Sequence, residues 1–289
     1  MQNLNTSLAG WGSGLLGILI FSGSLPATRV AVSGFSPLFL TAARALIAAL
    51  LAAALLALLR QTRPERRDMM PLVLVALGVV IGFPLLTALA LQQITAARSI
   101  VFIGLLPLAT AVFAVLRGGE RPGPLFWLFS CLGSATIAVF ALAGDTSASS
   151  RGDWLMLAAI LLCGLGYAEG AKLARRLGGW QVISWALLLA SPLMLILTLA
   201  TLPPAWHTIS TPAWLGLAYV SVFSMLIGFV FWYRGLALGG IASIGQLQLL
   251  QPFLGLALAG LLLHEPVAGS MITASTLVVA CVALARRFA

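Results

Sequence analysis

The chain has 289 residues, of which 61% are hydrophobic and only 8% are charged, and its formal net charge is +9. A soluble domain carries roughly 25% charged residues, so this composition excludes a water-soluble globular protein as well as a disordered one. The basic residues lie scattered at the ends of apolar stretches and form no basic stripe, which argues against nucleic acid as a partner. We therefore expect an integral membrane protein.

Ten apolar segments each reach about 20 residues, the length that an α-helix needs to cross a bilayer. They lie at 11–31, 37–60, 71–91, 99–117, 124–143, 153–173, 181–201, 213–234, 241–263 and 267–286. Too few residues remain outside the segments for a soluble domain, and the segments lack the alternation of barrel strands. The sequence therefore predicts an all-α polytopic membrane protein with ten transmembrane helices.

Lys and Arg residues are distributed unequally between the two sides of these predicted helices. With a cytoplasmic N-terminus, twelve of the 16 fall on the cytoplasmic side, and three, Arg29, Arg98 and Arg151, fall outside. Arg44 remains within the bilayer. Because positive residues accumulate in cytoplasmic loops, this count predicts that both termini are cytoplasmic.

The two halves of the chain resemble each other at an offset near 145 residues. Pro107 lies 13 residues before Glu120, and Pro252 lies 13 residues before Glu265. The tripeptide Ile-Gly-Phe occurs at 81–83 and again at 227–229. Each half holds five helices, an odd number, so the second half would enter the membrane inverted. We predict two repeats, residues 1–145 and 146–289. Inverted repeats with a site between them near the bilayer midplane are typical of secondary transporters.

The first two helices contain the strings Phe21-Ser-Gly-Ser-Leu-Pro-Ala-Thr-Arg29, Phe35-Ser-Pro37 and Ala43-Arg44-Ala45-Leu46. Together with the Pro–Glu pattern, they resemble the EamA family of the drug/metabolite transporter superfamily, including its YddG-like amino-acid exporters, over essentially the whole chain. The resemblance implies a transporter of the bacterial inner membrane in which helices 1–4 and 6–9 surround a central cavity. It also implies export of amino acids or other small metabolites by alternating access.

Other functions remain as alternatives. The sequence has no GxxxxGK[ST] motif, no HExxH motif and no Cys/His cluster, so we expect no ATP-driven pump, no enzyme, no cofactor and no metal site. A drug or nucleotide-sugar carrier would use the same fold, whereas a channel would need a continuous polar stripe. The expected partners are a small-molecule substrate and the lipid bilayer, and the chain is expected to act as a monomer or a weak homodimer.

Arg44 is the first candidate substrate-binding residue, because a charge within the bilayer usually faces a cavity or a partner. It either anchors a substrate carboxylate or snorkels to the outer interface and fixes helix 2 there. Tyr167 and Trp185, from the second half, would supply apolar walls. The second half has Ser184-Trp185 where the first has Thr41 to Arg44, so the intramembrane Arg occurs in one half only.

Helix 9 carries Gln248 and Gln251, which are three residues apart and share a helix face. Pro252 lacks an N–H group, which we expect to leave the Gln248 carbonyl free for a substrate ammonium. The two amides would otherwise hydrogen-bond between helices. Pro107 and Pro252 are also predicted to bend helices 4 and 9 and to act as gating hinges.

Three acidic residues complete the candidates. Glu169 would couple transport to a proton, or else would pair with Lys172 one turn away. Glu120 and Glu265 precede helices 5 and 10, where an acid suits the helix dipole, so we interpret both as structural.

Overall fold

The computed structural model describes residues 2–94, 99, 102–142, 150–263 and 269–287, and the regular elements in these ranges are all helical. In the first half, α1 comprises Gln2–Ser22 and Ser24–Ala31, α2 is Pro37–Leu58, α3 comprises Arg66–Val75, Ala76–Gly82 and Phe83–Ala90, α4 is Leu106–Gly118 and α5 is Pro124–Leu142. In the second half, α6 is Ser150–Leu177, α7 is Gly179–Ala200, α8 comprises Thr211–Tyr219, Val220–Ile227 and Gly228–Gly239, α9 comprises Ile241–Gly245, Gln246–Leu250 and Gln251–Leu263, and α10 is Gly269–Arg287.

Within the described ranges, six stretches are long and apolar enough to cross a membrane on their own. They are Leu8–Ala31, Pro37–Leu58, Arg66–Ala90, Arg151–Leu177, Gly179–Ala200 and Thr211–Gly239. Helix α4 and the first part of α5 are shorter apolar helices. The predicted all-helical fold of ten segments is confirmed, although α3 and α6 extend beyond the apolar stretch into charged residues at one end.

Helices pack in pairs that are repeated between the two halves. Helix α1 runs against α8, and α6, its counterpart five helices later, runs against α3. Likewise α1 contacts α9 while α6 contacts α4, and α2 pairs with α7 as α5 pairs with α10. If each helix is replaced by its counterpart in the other half, the α1–α8 contact becomes the α6–α3 contact, and the α1–α9 contact becomes the α6–α4 contact. The α2–α7 and α5–α10 contacts remain the same. This is the packing expected of two inverted five-helix repeats.

Helices α3 and α8 each contain a π-helical segment, Ala76–Gly82 and Val220–Ile227. The repeated Ile-Gly-Phe tripeptide lies at the end of both segments. A Cβ atom on Gly82 would lie 2.5 Å from the Leu77 carbonyl oxygen, and one on Gly228 would lie 3.0 Å from the Phe223 oxygen. Glycine at these positions therefore accommodates the wider turn, and π segments often occur at functional sites.

We call the end of the bundle where α1 begins and α2, α4 and α6 end the basal end, and the opposite end the apical end. Close to the basal end, α1 and α8 are in backbone contact. A Cβ atom on Gly235 would lie 2.7 Å from the Gly14 nitrogen, and one on Gly10 would lie 2.9 Å from the Gly239 nitrogen. Small residues permit such close approach between membrane helices. Helices α1 and α8 are therefore tightly packed at this end.

Candidate substrate-binding site

A small central cavity lies between mid-bundle and the apical end. Seven helices, α1–α4, α6, α8 and α9, contribute to its lining. Apart from Tyr167, its polar lining consists of Ser24, Thr28, Arg44, Thr87, Ser224 and Gln251. The other lining side chains are apolar, and most small-molecule sites share this combination of an apolar wall with a few polar groups.

Arg44 lies in the wall of this cavity, with only 6% of its surface exposed. One of its terminal nitrogens donates a hydrogen bond to Ser224 Oγ at 3.0 Å, and Ser224 in turn accepts from Ser24 Oγ at 2.7 Å. The Nε atom of Arg44 has no hydrogen-bond partner. No Asp or Glu occurs among the described residues that line the cavity. A buried guanidinium is thus left with spare donors and without a counter-charge.

The local fold explains this placement. Ser36 caps α2 by accepting from the Phe39 N–H, and Pro37 starts the helix, which fixes its register. The alanine-rich face of α2 then packs against α7, and α2 also contacts the π segment of α8. Arg44 therefore points toward Ser224, which belongs to that π segment. The burial of Arg44 does not fit a side chain that snorkels to the membrane surface.

Aromatic rings form the floor of the cavity on its basal side. The ring centroids of Phe21 and Phe229 lie 4.9 Å apart, and those of Tyr167 and Trp232 lie 5.3 Å apart. Tyr167 lines the cavity, and its role as a wall for the substrate stays a prediction. Trp185 instead packs from α7 against the main hydrophobic core and does not line this cavity, so the predicted second wall is wrong.

The glutamines of α9 differ from each other in their surroundings. Gln251 lines the cavity, and its side-chain oxygen has no hydrogen-bond partner. Gln248 is fully buried, and its amide donates to Thr110 Oγ1 of α4 at 3.2 Å. The prediction of a free Gln248 carbonyl is wrong, because that carbonyl accepts the N–H of Gln251. In the 3-10 segment Gln246–Leu250, a carbonyl accepts from the N–H group three residues later instead of four. The Gln248 carbonyl therefore accepts from Gln251, although Pro252, four residues later, has no N–H group to donate.

Pro107 and Pro252 occupy equivalent positions, each at the second residue of an α-helix. Proline suits this position because the first turn of a helix needs no N–H donor. In α9 a 3-10 segment interrupts the α-helical geometry directly before Gln251. In α4 a turn at residues 104–105 precedes the helix. The interruptions are therefore sharper than a simple proline bend, and the hinge role of these residues stays a prediction.

Acidic residues at the basal end pair with arginines across helices. Glu169 is 1% exposed and accepts from Arg117 Nε at 2.5 Å. The predicted partner of Glu169 was Lys172 of its own helix, so the ion pair is between helices rather than within one. Asp68 of α3 pairs with Arg176 of α6. None of these groups lines the central cavity, and a proton-coupling role for Glu169 stays a prediction.

Glu120 caps a helix of the other half of the molecule. Its two carboxylate oxygens accept from the N–H groups of Ile241 and Ala242 at 2.8 and 2.7 Å, where α9 begins. Arg175 pairs with the same carboxylate at 3.0 Å. Glu120 therefore satisfies the start of α9 rather than that of α5, which the sequence had suggested. Glu265, its counterpart in the repeat, lies outside the described residues.

Sequence reasoning missed Ser24, Ser224, Phe21 and Phe229 as parts of the site. Phe229 belongs to the repeated Ile-Gly-Phe tripeptide, and Phe21 and Ser24 belong to the first string that carries the family resemblance. The repeated tripeptide and the family string could therefore have indicated that these three residues belong to the site. Ser224 gave no comparable signal, since isolated serines are common in apolar helices.

The EamA-like transporter family matches the chain twice, at residues 8–142 and 150–287. The chain is 64% identical to the Bacillus subtilis (strain 168) protein named Uncharacterized transporter YdeK, over 99% of this chain and 100% of that protein. It is 24% identical to the Probable terminal-alkyne amino-acid exporter of Streptantibioticus cattleyicolor, over 87% of this chain and 84% of that protein. A solved structure described as "Crystal structure of protein" superposes with a TM-score of 0.79 at 20% identity, covering 99% of each chain, and shows the same fold. The chain belongs to the EamA-like transporter family and is an all-helical membrane transporter of ten transmembrane helices in two inverted repeats.

Proposed function

We propose that the protein is a secondary transporter that exports amino acids across the bacterial inner membrane by alternating access. The observation that carries the proposal is Arg44, a buried guanidinium with an unused donor in the wall of the central cavity. Guanidinium groups bind carboxylates with two parallel hydrogen bonds, and every amino acid has a carboxylate. The Probable terminal-alkyne amino-acid exporter of Streptantibioticus cattleyicolor, a distant relative, supports the same substrate class.

The unpartnered side-chain oxygen of Gln251 lies in the same cavity and is an acceptor for the ammonium group of the substrate. Phe21, Tyr167 and Phe229 provide an apolar surface for side chains of different shapes. Such a site binds weakly and broadly, which suits an exporter, because tight binding would slow the release of the substrate.

With both termini in the cytoplasm, the basal end of the bundle faces the cytoplasm and the cavity lies toward the outside. The Arg117–Glu169 and Arg176–Asp68 pairs then hold the cytoplasmic ends of α3, α4 and α6 together. In this arrangement export would require these ion pairs to separate and the aromatic floor to open, while α4 and α9 move at their interruptions.

The test is a counterflow assay with purified protein in liposomes that are preloaded with one unlabelled compound from a panel of amino acids, sugars and dyes. Labelled amino acid should accumulate transiently only when an amino acid has been preloaded, and the rate should saturate with concentration. Linear flux without saturation would indicate a channel. If only sugars or dyes supported counterflow, the substrate class would be one of these and not amino acids.

A further inference from the structure

The charge balance of the central cavity distinguishes between classes of carboxylate. Arg44 supplies one buried positive charge, and the described lining residues include no acid to balance it. Asp68, Glu120 and Glu169 lie at the basal end, and each is already paired with an arginine. The cavity therefore carries an uncompensated positive charge in surroundings of low polarity, where such a charge is costly.

A ligand with a net charge of −1 offsets this cost, because its carboxylate neutralises the guanidinium. A zwitterionic ligand brings a second positive charge into the same cavity. Among the described lining side chains, the groups available to that ammonium are neutral acceptors, namely the hydroxyls of Ser24, Thr28, Thr87 and Ser224 and the side-chain oxygen of Gln251. Hydroxyl and amide oxygens hydrogen-bond to an ammonium, but they do not balance its charge.

The remainder of the cavity also favours a ligand with a single charge. Phe21, Phe83 and Phe229, together with aliphatic side chains, make up most of its surface. A second charged or strongly polar group on the ligand would lie against these side chains and would lose its hydration without replacement. The recognised features are thus one carboxylate and one apolar body.

We propose that the cavity recognises the carboxylate alone, so that it binds apolar monocarboxylates of net charge −1 more tightly than zwitterionic amino acids with the same side chain. This inference rests on the proposed function, because it uses the same Arg44 anchor, and it ranks two classes of carboxylate as ligands of that site. Amino acids are then weaker ligands of a site that does not require their ammonium group.

Three compounds with one carbon skeleton provide the test. They are leucine, isocaproate, which is leucine without its ammonium group, and isoamylamine, which is leucine without its carboxylate. Binding is measured as ligand-induced thermal stabilisation of the detergent-purified protein near neutral pH, so that permeation of the undissociated acid through a bilayer has no effect. Isocaproate should bind at least about tenfold more tightly than leucine, since juxtaposed like charges are costly at a buried site, and isoamylamine should not bind.

Arg44→Gln should abolish the preference for isocaproate, and Arg44→Lys, which keeps the charge, should retain the preference at lower affinity. If Arg44→Gln fails to fold, the wild-type trio and Arg44→Lys still decide the question. Leucine binding as tightly as isocaproate, or more tightly, would overturn the inference and leave amino-acid export standing. Failure of both compounds to bind, together with no counterflow of any amino acid, would overturn the inference and the proposed function together.

Discussion

Replacing Arg44 by Gln tests the carboxylate anchor most directly. The substitution removes the charge but keeps an amide that can still donate to a neighbour. A hydrogen bond that involves a charged group contributes about 1.5–3 kcal/mol, and its loss raises the half-saturation concentration about 10- to 150-fold. The lower part of this range applies if Ser24 and Ser224 still orient the substrate in the variant.

The assay is counterflow of a labelled amino acid in proteoliposomes, with Arg29→Gln as the matched control. Arg29 is another arginine of the apical half, but it donates to the Leu91 carbonyl at 2.6 Å and does not line the cavity. We expect Arg29→Gln to leave the half-saturation concentration unchanged. Equal increases in the two variants would indicate a general loss of structure rather than the loss of an anchor.

The stability of Arg44→Gln in the absence of substrate provides an independent check. A buried guanidinium without a counter-charge destabilises the fold, so its removal should leave the melting temperature unchanged or raise it. A variant that folds normally and transports amino acids like the wild type would refute the anchor. A marked fall in melting temperature with unchanged half-saturation would assign Arg44 a purely structural role.

Three further predictions concern topology, motion and coupling. In a cysteine-free background, an impermeant maleimide added to intact cells should label Ser149→Cys and not Thr62→Cys, and the reverse pattern would contradict cytoplasmic termini. Pro107→Ala and Pro252→Ala should each fold but transport more slowly, because a continuous helix replaces the interruption; unchanged rates in both would remove support for the hinges. Glu169→Gln should lower stability by about 1–3 kcal/mol in thermal or denaturant unfolding, since Arg117 loses its partner, while the response of transport to an imposed pH gradient should match that of the wild type. Loss of that dependence with unchanged stability would instead support proton coupling.

The number and type of the helices could be predicted because bilayer thickness imposes a minimum apolar length, and that length is visible in the sequence. The internal repeat was visible for a related reason, since the Ile-Gly-Phe and Pro–Glu matches keep their spacing. The π segments were not predicted, because hydropathy does not distinguish a π turn from an α turn. Only the position of Gly82 against the Leu77 carbonyl reveals the change.

The errors at the site have physical causes that also lie beyond local sequence. Trp185 was assigned to the cavity, but α7 is apolar around most of its circumference, so its sequence does not show which face meets the cavity. The Gln248 carbonyl was expected to be free on the assumption of a regular α-helix before Pro252. Glu120 was assigned to the nearest helix start, whereas its partners belong to a helix that the chain reaches only after four more membrane crossings.

The cap that Glu120 places on α9 has a consequence for biogenesis. Its two N–H partners lie 121 and 122 residues further along the chain, so the carboxylate leaves the ribosome long before α9 is made. Until then, Glu120 has Arg175 at most as a partner, and the completed arrangement requires α9 to insert with its first turn at the same membrane face. A chain that stops after α8 would retain this acid without the amide groups that it finally holds. The loop between α4 and α5 therefore makes a contact between an early and a late part of the chain, and this contact forms only after α9 has been inserted.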